Sequence, residues 1–176
     1  ILMLGVYEER KGHIFMLRAM KHVLNQNQSP ILLMCGDGED DYKKNLIKYA
    51  QKLNIENNIY ILNHVDNPIN LIKSCSIVVM PSQDYESFGY TALEAMYCKR
   101  PVVCCNTGGL NEVVENGITG YVVDKSDDKA FARKILYLLE NKEISSVMGQ
   151  KGFDRYHKNF TAKKMSQKYY DIIFNS

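Results

Sequence analysis

Residues 77–105, IVVMPSQDYESFGYTALEAMYCKRPVVCC, read as strand, glycine-bearing loop, helix and strand. Ile77 to Met80 and Pro101 to Cys105 are short apolar runs with the β-branched content of strands covered on both faces. The segment from about Phe88 to Cys98 has helical spacing. A strand that returns parallel to its predecessor through a helix makes a right-handed crossover.

The same alternation extends to both sides. Further strand-like runs are Ile1 to Val6, Ile31 to Cys35, Ile59 to Leu62 and Tyr121 to Val123. Helical patterns fill the gaps: about Ile14 to Leu24, with Leu17, Met20 and Leu24 on one face, then Tyr42 to Leu53 and Ile69 to Ser74. The pattern predicts an α/β fold, a Rossmann-like doubly wound parallel sheet of about six strands, each buried on both faces. DKAFARKILYLLE, with Phe131, Ile135, Leu138 and Leu139 in helical register, and a closing pattern near Thr161 to Phe174 add C-terminal helices. No internal repeat or low-complexity linker interrupts the chain.

At 176 residues the sequence is expected to form one domain. Its 22 basic and 20 acidic residues leave a net charge of only +2, and the basic residues are interspersed with acidic ones. Nucleic acid is therefore not an expected partner. Five cysteines without CxxC spacing, four of them in or beside apolar runs, predict reduced buried thiols of a cytoplasmic protein rather than disulfides or a zinc site. No apolar run approaches the roughly 20 residues that span a bilayer. The chain opens directly on ILMLGV, which leads to the expectation of a piece cut from a longer protein.

Ligands of doubly wound sheets gather beyond the carboxyl ends of the strands. The polar candidates lie there. After the first run comes GVYEERKGH, where Arg10 and Lys11 offer positive charge near a helix start, an arrangement that suits phosphate and equally suits a solvated loop. After the second comes CGDGEDD, in which Gly36 and Gly38 make a tight turn before an acidic helix start. It lacks the third glycine of a dinucleotide fingerprint, which disfavours a dehydrogenase. After the third come Asn63 and His64; a histidine in such a loop is more often a surface residue than a ligand.

After the fourth run, Glu86 lies in the loop and Glu94 about five residues inside the helix. At 1.5 Å per residue the two carboxylates are on the order of 8 to 12 Å apart, too far to grip one sugar ring but suited to two parts of an extended ligand. Between them the backbone N–H groups around Ser87, Phe88, Gly89 and Tyr90 favour an anion. A phosphate at the helix start with a hydroxyl-binding carboxylate on each side has the layout of a nucleotide sugar. Glu94 sits among Ala92, Leu93, Ala95 and Met96, and a carboxylate so enclosed needs partners. After the fifth run, Gly108 and Gly109 allow close backbone approach, and Gly117 and Gly120 mark the turn into the sixth.

Taken together, KGH, GDGE, PSQDYESFGYTALEAM, RPVV and TGGLNEVVENGITGYVV resemble, in order and over nearly the whole chain, the C-terminal domain of retaining GT-B glycosyltransferases of family 4, the group 1 glycosyltransferases. The resemblance implies that Glu86 is the catalytic glutamate that contacts the donor sugar and that Glu94 holds the ribose hydroxyls. It implies that backbone from Ser87 to Tyr90 binds the distal phosphate, with Lys11 on the diphosphate and the loops of Gly36 and His64 near the base. Two positions depart from the family pattern. Val6 stands where an arginine commonly follows the glycine of the first strand, with Arg10 the nearest substitute, and Lys99 stands where a glycine is common.

The implied activity is transfer of a hexose from a UDP- or GDP-linked sugar to a glycan or lipid-linked acceptor, with retention and with neither cofactor nor metal. Bacterial surface polysaccharide synthesis is the expected setting. The acceptor half of such an enzyme is not in this sequence, so residues 1–176 are expected to be the nucleotide-sugar-binding domain, inactive alone. Alternatives are a non-catalytic nucleotide-sugar-binding domain and a GT-B-like nucleotide-sugar epimerase. Lys163, Lys164 and Lys168 near Tyr169 and Tyr170 suit peripheral contact with anionic lipid, although a solvated helix face is the more ordinary reading.

Overall fold

The computed structural model describes residues 1–174. Six parallel strands form one sheet: β1 (Leu2–Leu4), β2 (Leu32–Cys35), β3 (Ile59–Leu62), β4 (Val78–Met80), β5 (Val102–Cys105) and β6 (Gly120–Val123), in the order β3-β2-β1-β4-β5-β6. The order reverses between β1 and β4. At that switch point the loops leaving the two strands diverge and open a crevice.

Side-chain alternation sends successive residues of the inner strands to opposite faces. Met3, Val79, Val103 and Cys105 join one core with Phe15, Met16, Met20 and Phe131; Leu2, Val78, Met80, Val102 and Cys104 join the other with Ile72, Leu93, Met96 and Leu110. The first core lies under α1 (His13–Leu24), α2 (Asp40–Lys52) and α6 (Asp128–Glu140). The second lies under α3 (Ile69–Ser74), α4 (Tyr90–Tyr97) and the short α5 (Leu110–Val113). The inner strands are therefore apolar on both faces because both faces are covered.

β3 departs from the expected two-sided burial. It ends the sheet: Ile59 and Ile61 pack into the first core, but Tyr60 and Leu62 on the other face are exposed. The expected helix at Phe88 begins two residues later, because Gly89 takes a left-handed conformation (φ 88°) outside it. The sequence pattern also gives no sign of α7 (Lys142–Asn159), which precedes α8 (Ala162–Phe174). α7 buries only Met148, Gly149 and Gly152 along its length, and it is placed by close packing of its glycines on α4 and the turn after it rather than by an apolar stripe.

The cysteines are unpaired; four are buried and Cys75 is half-buried, and burial pushes each thiol upward. Among the described residues no helix is long and apolar enough to cross a membrane.

Candidate functional site

The loops after β1 and β4 are stitched together before any ligand is considered. The Gln83 N–H donates to the Arg10 carbonyl at 2.8 Å. Gly12 has φ 78°, and a Cβ there would stand 2.0 Å from the Pro81 carbonyl oxygen, so only a glycine lets the start of α1 rest on the end of β4. That contact brings Lys11 to Glu86. Lys11 Nζ donates to Glu86 Oε2 at 2.6 Å, with the two side chains only 17% and 13% exposed.

Glu86 has two further supports. The Ser82 hydroxyl, on a buried side chain, donates to the same carboxylate oxygen at 3.3 Å. The Gly109 N–H donates to the Glu86 carbonyl at 2.9 Å. Gly108, at φ 50°, passes so close that a Cβ would lie 2.0 Å from that carbonyl oxygen. The loops after β1, β4 and β5 thus converge on one acid.

Four residues further on, α4 starts without a side-chain cap. The N–H groups of Phe88, Gly89, Tyr90 and Thr91 have no hydrogen-bond partner among the described residues. Uncapped donors at the positive end of a helix form an anion site.

Glu94, one turn beyond Thr91, faces a cleft of about 290 Å³ lined also by Gly5, Val6, Cys35, Gly36, Asp37, His64, Val65 and Pro68. Its half-buried carboxylate makes no hydrogen bond or ion pair among the described residues, and burial raises its pKa. Gly36 lies directly against the Gly5 backbone, and His64 stands 3.6 Å from Asp37. The structure therefore brings Gly36, His64 and Glu94 to one cleft, and Gly5, which also lines it, lies next to the stem of the Lys11 that pairs with Glu86.

Arg10 does not join them. Its guanidinium pairs with exposed Glu8 at 2.6 Å. Val6 itself lines the cleft. Lys99 adopts φ 56°, a left-handed conformation in which glycine is ordinarily favoured.

Several residues of the site were not singled out by sequence. Ser82 follows the apolar run directly, and Thr91 is three residues before Glu94 and so shares its helix face, a spacing visible in the sequence. Tyr7 carried no signal: its hydroxyl reaches the Met34 and Leu62 carbonyls at 2.9 and 2.8 Å and fastens the β1 loop across β2 and β3. Beside it, His13 is fully buried between Tyr7 (ring centroids 5.0 Å) and Tyr42 (5.8 Å). Burial lowers its pKa to about 4, against the opposing pull of the Glu8 backbone.

No group of three or more metal-ligating side chains occurs among the described residues. At the C-terminal end, Lys163, Lys164, Tyr169 and Tyr170 are exposed on α8; the side chain of Lys168 lies outside the described residues.

The family profile described as glycosyl transferases group 1 matches residues 1–155. The N-acetyl-alpha-D-glucosaminyl L-malate synthase of Bacillus anthracis is 29% identical over 144 residues, 82% of this chain and 37% of that protein. The capsular polysaccharide biosynthesis glycosyltransferase CapM of Staphylococcus aureus is 28% identical over 153 residues, 87% of this chain and 40% of that protein. The crystal structure of Anabaena Alr3699/HepE in complex with UDP superposes with a TM-score of 0.92 at 23% identity, covering 99% of this chain and 48% of that one. The chain thus spans less than half the length of these proteins.

Proposed function

The chain belongs to the group 1 glycosyl transferases, and on that premise we propose that it is the donor-binding domain of a retaining enzyme that moves a hexose from a nucleoside diphosphate to a glycan or lipid-linked acceptor. The observation that carries the proposal is Glu94. It is an unpaired, partly desolvated carboxylate in a cleft also lined by Gly5, which lies against the stem of Lys11, and it stands on the helix whose open N–H groups follow Glu86.

A carboxylate in that state gains most from a ligand that brings vicinal hydroxyl donors, as a ribose does. Gly36 and His64 flank the position of the base, and Gly5 gives the diphosphate room to pass toward Lys11. The distal phosphate sits on the N–H groups from Phe88 to Thr91. The Anabaena protein was crystallised in complex with UDP, which makes uridine the first base to test.

In transfer, the bond from the anomeric carbon to the phosphate oxygen breaks and the bond to the acceptor oxygen forms on the same face, which retains configuration. The departing phosphate takes up the acceptor proton. Negative charge grows on that phosphate, where Lys11 and the helix N–H groups bind the transition state more tightly than the ground state. For this, Lys11 exchanges its Glu86 partner for phosphate. Glu86, released, orients the sugar hydroxyls and stabilises positive charge on the ring. The reading assigns the chemistry to these residues and to no cofactor or metal.

The other half of the enzyme supplies the acceptor site. The capsular relative supports a role in bacterial surface polysaccharide synthesis, for which the reading places the enzyme at the cytoplasmic side of the membrane. Val6 in place of a second phosphate cation favours one other reading, a domain that binds a nucleotide sugar without transfer. Calorimetric titration with UDP, GDP and ADP, repeated on Glu94→Ala, tests the proposal. One nucleotide should bind, and the variant should weaken it by roughly 1 to 3 kcal/mol, the value of hydrogen bonds to a charged group. Equal affinity of native protein and variant would sink the ribose assignment.

A further inference from the structure

A cavity of about 670 Å³ lies at the amino ends of β4 and β5, at the opposite end of the strands from the proposed donor cleft. It is bounded by the segment from α3 to β4 (Lys73 to Ser76), the turn from α4 to β5 (Cys98 to Pro101), the end of α6 and the first turns of α7. Its charged lining is Lys73, Lys99, Arg100 and Lys142, with no aspartate or glutamate among the lining residues. None of these four cations has an ion-pair partner among the described residues, although Glu140 and Glu143 flank Lys142 in sequence and the Lys99 ammonium rests 4.7 Å from the centre of the Phe153 ring.

Lysines at the ends of α3 and α4 offset the negative pole of each helix, and that accounts for their sign. It does not account for the rest of the arrangement. Arg100 is anchored by donation from Nη2 to the Lys73 carbonyl at 2.6 Å, while its buried Nε has no partner. Lys99 is held at φ 56°, a conformation that is costly for a lysine and that persists where surrounding structure enforces it. That conformation closes the end of α4, where the Arg100 N–H donates to the Ala95 carbonyl at 2.8 Å, and a Cβ on Gly149 would lie 2.2 Å from the Lys99 carbonyl oxygen, so α7 rests directly on the turn.

That packing sets the start of α7 beside Lys99 and Arg100. α7 begins with no side-chain cap, so its first N–H groups are open, and Ser145 and Ser146 add hydroxyl donors to the lining. Cations, hydroxyls and helix N–H groups around a compact cavity are the donor set for a multiply charged phosphoryl group.

We propose that this cavity is a second anion site, which binds a phosphoryl group of more than one negative charge through Lys73, Lys99, Arg100, Lys142 and the N-terminus of α7. The group is either a soluble phosphorylated compound or an anionic lipid headgroup, which share this chemistry. The site is independent of the donor assignment and shares none of its residues.

Backbone amide shifts of the 15N-labelled chain, titrated with tripolyphosphate at fixed ionic strength, locate binding by residue. Saturable shifts are expected at 73–76, 99–101 and 142–146, resolved from any shifts near Lys11. The triple variant Lys73→Ala, Lys99→Gly, Lys142→Ala should weaken this binding at least tenfold. Lys99→Gly suits the left-handed backbone, so the variant should fold. A control of equal charge change, Lys48→Ala, Lys52→Ala, Lys129→Ala, should bind as the native chain does.

Sedimentation with vesicles of phosphatidylcholine containing phosphatidic acid, whose phosphomonoester headgroup carries more than one negative charge, and with phosphatidylcholine alone separates the two sources. Binding to the anionic vesicles that the triple variant loses identifies a headgroup, and tripolyphosphate binding without vesicle binding identifies a soluble ligand. Absence of saturable shifts at these residues, or equal weakening by the site variant and the control, overturns the proposal whether or not nucleotides bind the donor cleft.

Discussion

Glu86 and Glu94, the two acids of the proposed donor site, stand in opposite states. Glu86 is satisfied: Lys11 and Ser82 both donate to it, and Gly108 and Gly109 pin its backbone. Glu94 is unpaired among the described residues, its pKa raised by burial alone. On the proposed reading the satisfied acid is held by interactions that a donor must exchange, whereas the unsatisfied one gains partners only when a donor arrives. On that reading Glu86 stores geometry for chemistry and Glu94 stores affinity.

The comparison breaks first at Glu86. In the complete enzyme Glu86→Gln should lower kcat on the order of 10² to 10³, the usual loss of one electrostatic contact to the transition state, with nucleotide affinity little changed. Steady-state kinetics paired with titration read both; a loss confined to KM would place Glu86 in binding instead. Next comes the loop that carries it. Gly108→Val puts a β-branched side chain at φ 50° and into the Glu86 carbonyl, and should cost about 3 kcal/mol in urea unfolding. A smaller loss would mean that the β4 and β5 loops can separate freely.

The third test concerns the buried start of α1. His13 is held neutral by burial, with its pKa lowered to about 4 from 6.5. A base depressed in the folded state contributes stability that is complete above pH 6.5 and is lost as pH falls through 4, up to about 3 kcal/mol. Unfolding of His13→Phe, which keeps a ring between Tyr7 and Tyr42, should lack that dependence; parallel pH profiles would remove His13 as its source. The smallest effect is at Val6→Arg. A second cation on the cleft wall should tighten nucleoside diphosphate binding about tenfold, and more for UDP than for uridine. An equal gain for both would show that the arginine reaches the nucleoside rather than the phosphates.

Much of this architecture was legible before the fold was known. Strands β1 to β6 and helices α1 to α4 follow from apolar runs and helical spacing, because a sheet covered on both faces imposes that pattern locally. The spacing from Glu86 to Glu94 likewise declared two acids around a helix start. α7 was hidden because its placement rests on Gly149 and Gly152 packing against α4 and the turn after it, a contact with no periodic trace. The exposed face of β3 was hidden for a related reason: an edge strand has the composition of an inner one, and only strand order tells which face lacks cover.

The sequence by itself thus determined the class of fold, the strand ends where polar residues gather and the placement of two acids around one helix start. Only the tertiary structure decided which charges meet. Lys11 finds Glu86, 75 positions away, through the contact of Gly12 with the end of β4, while the nearby Arg10 turns to Glu8. Periodicity is a local property of the chain, whereas an ion pair depends on crossovers and close backbone approaches that no single segment encodes.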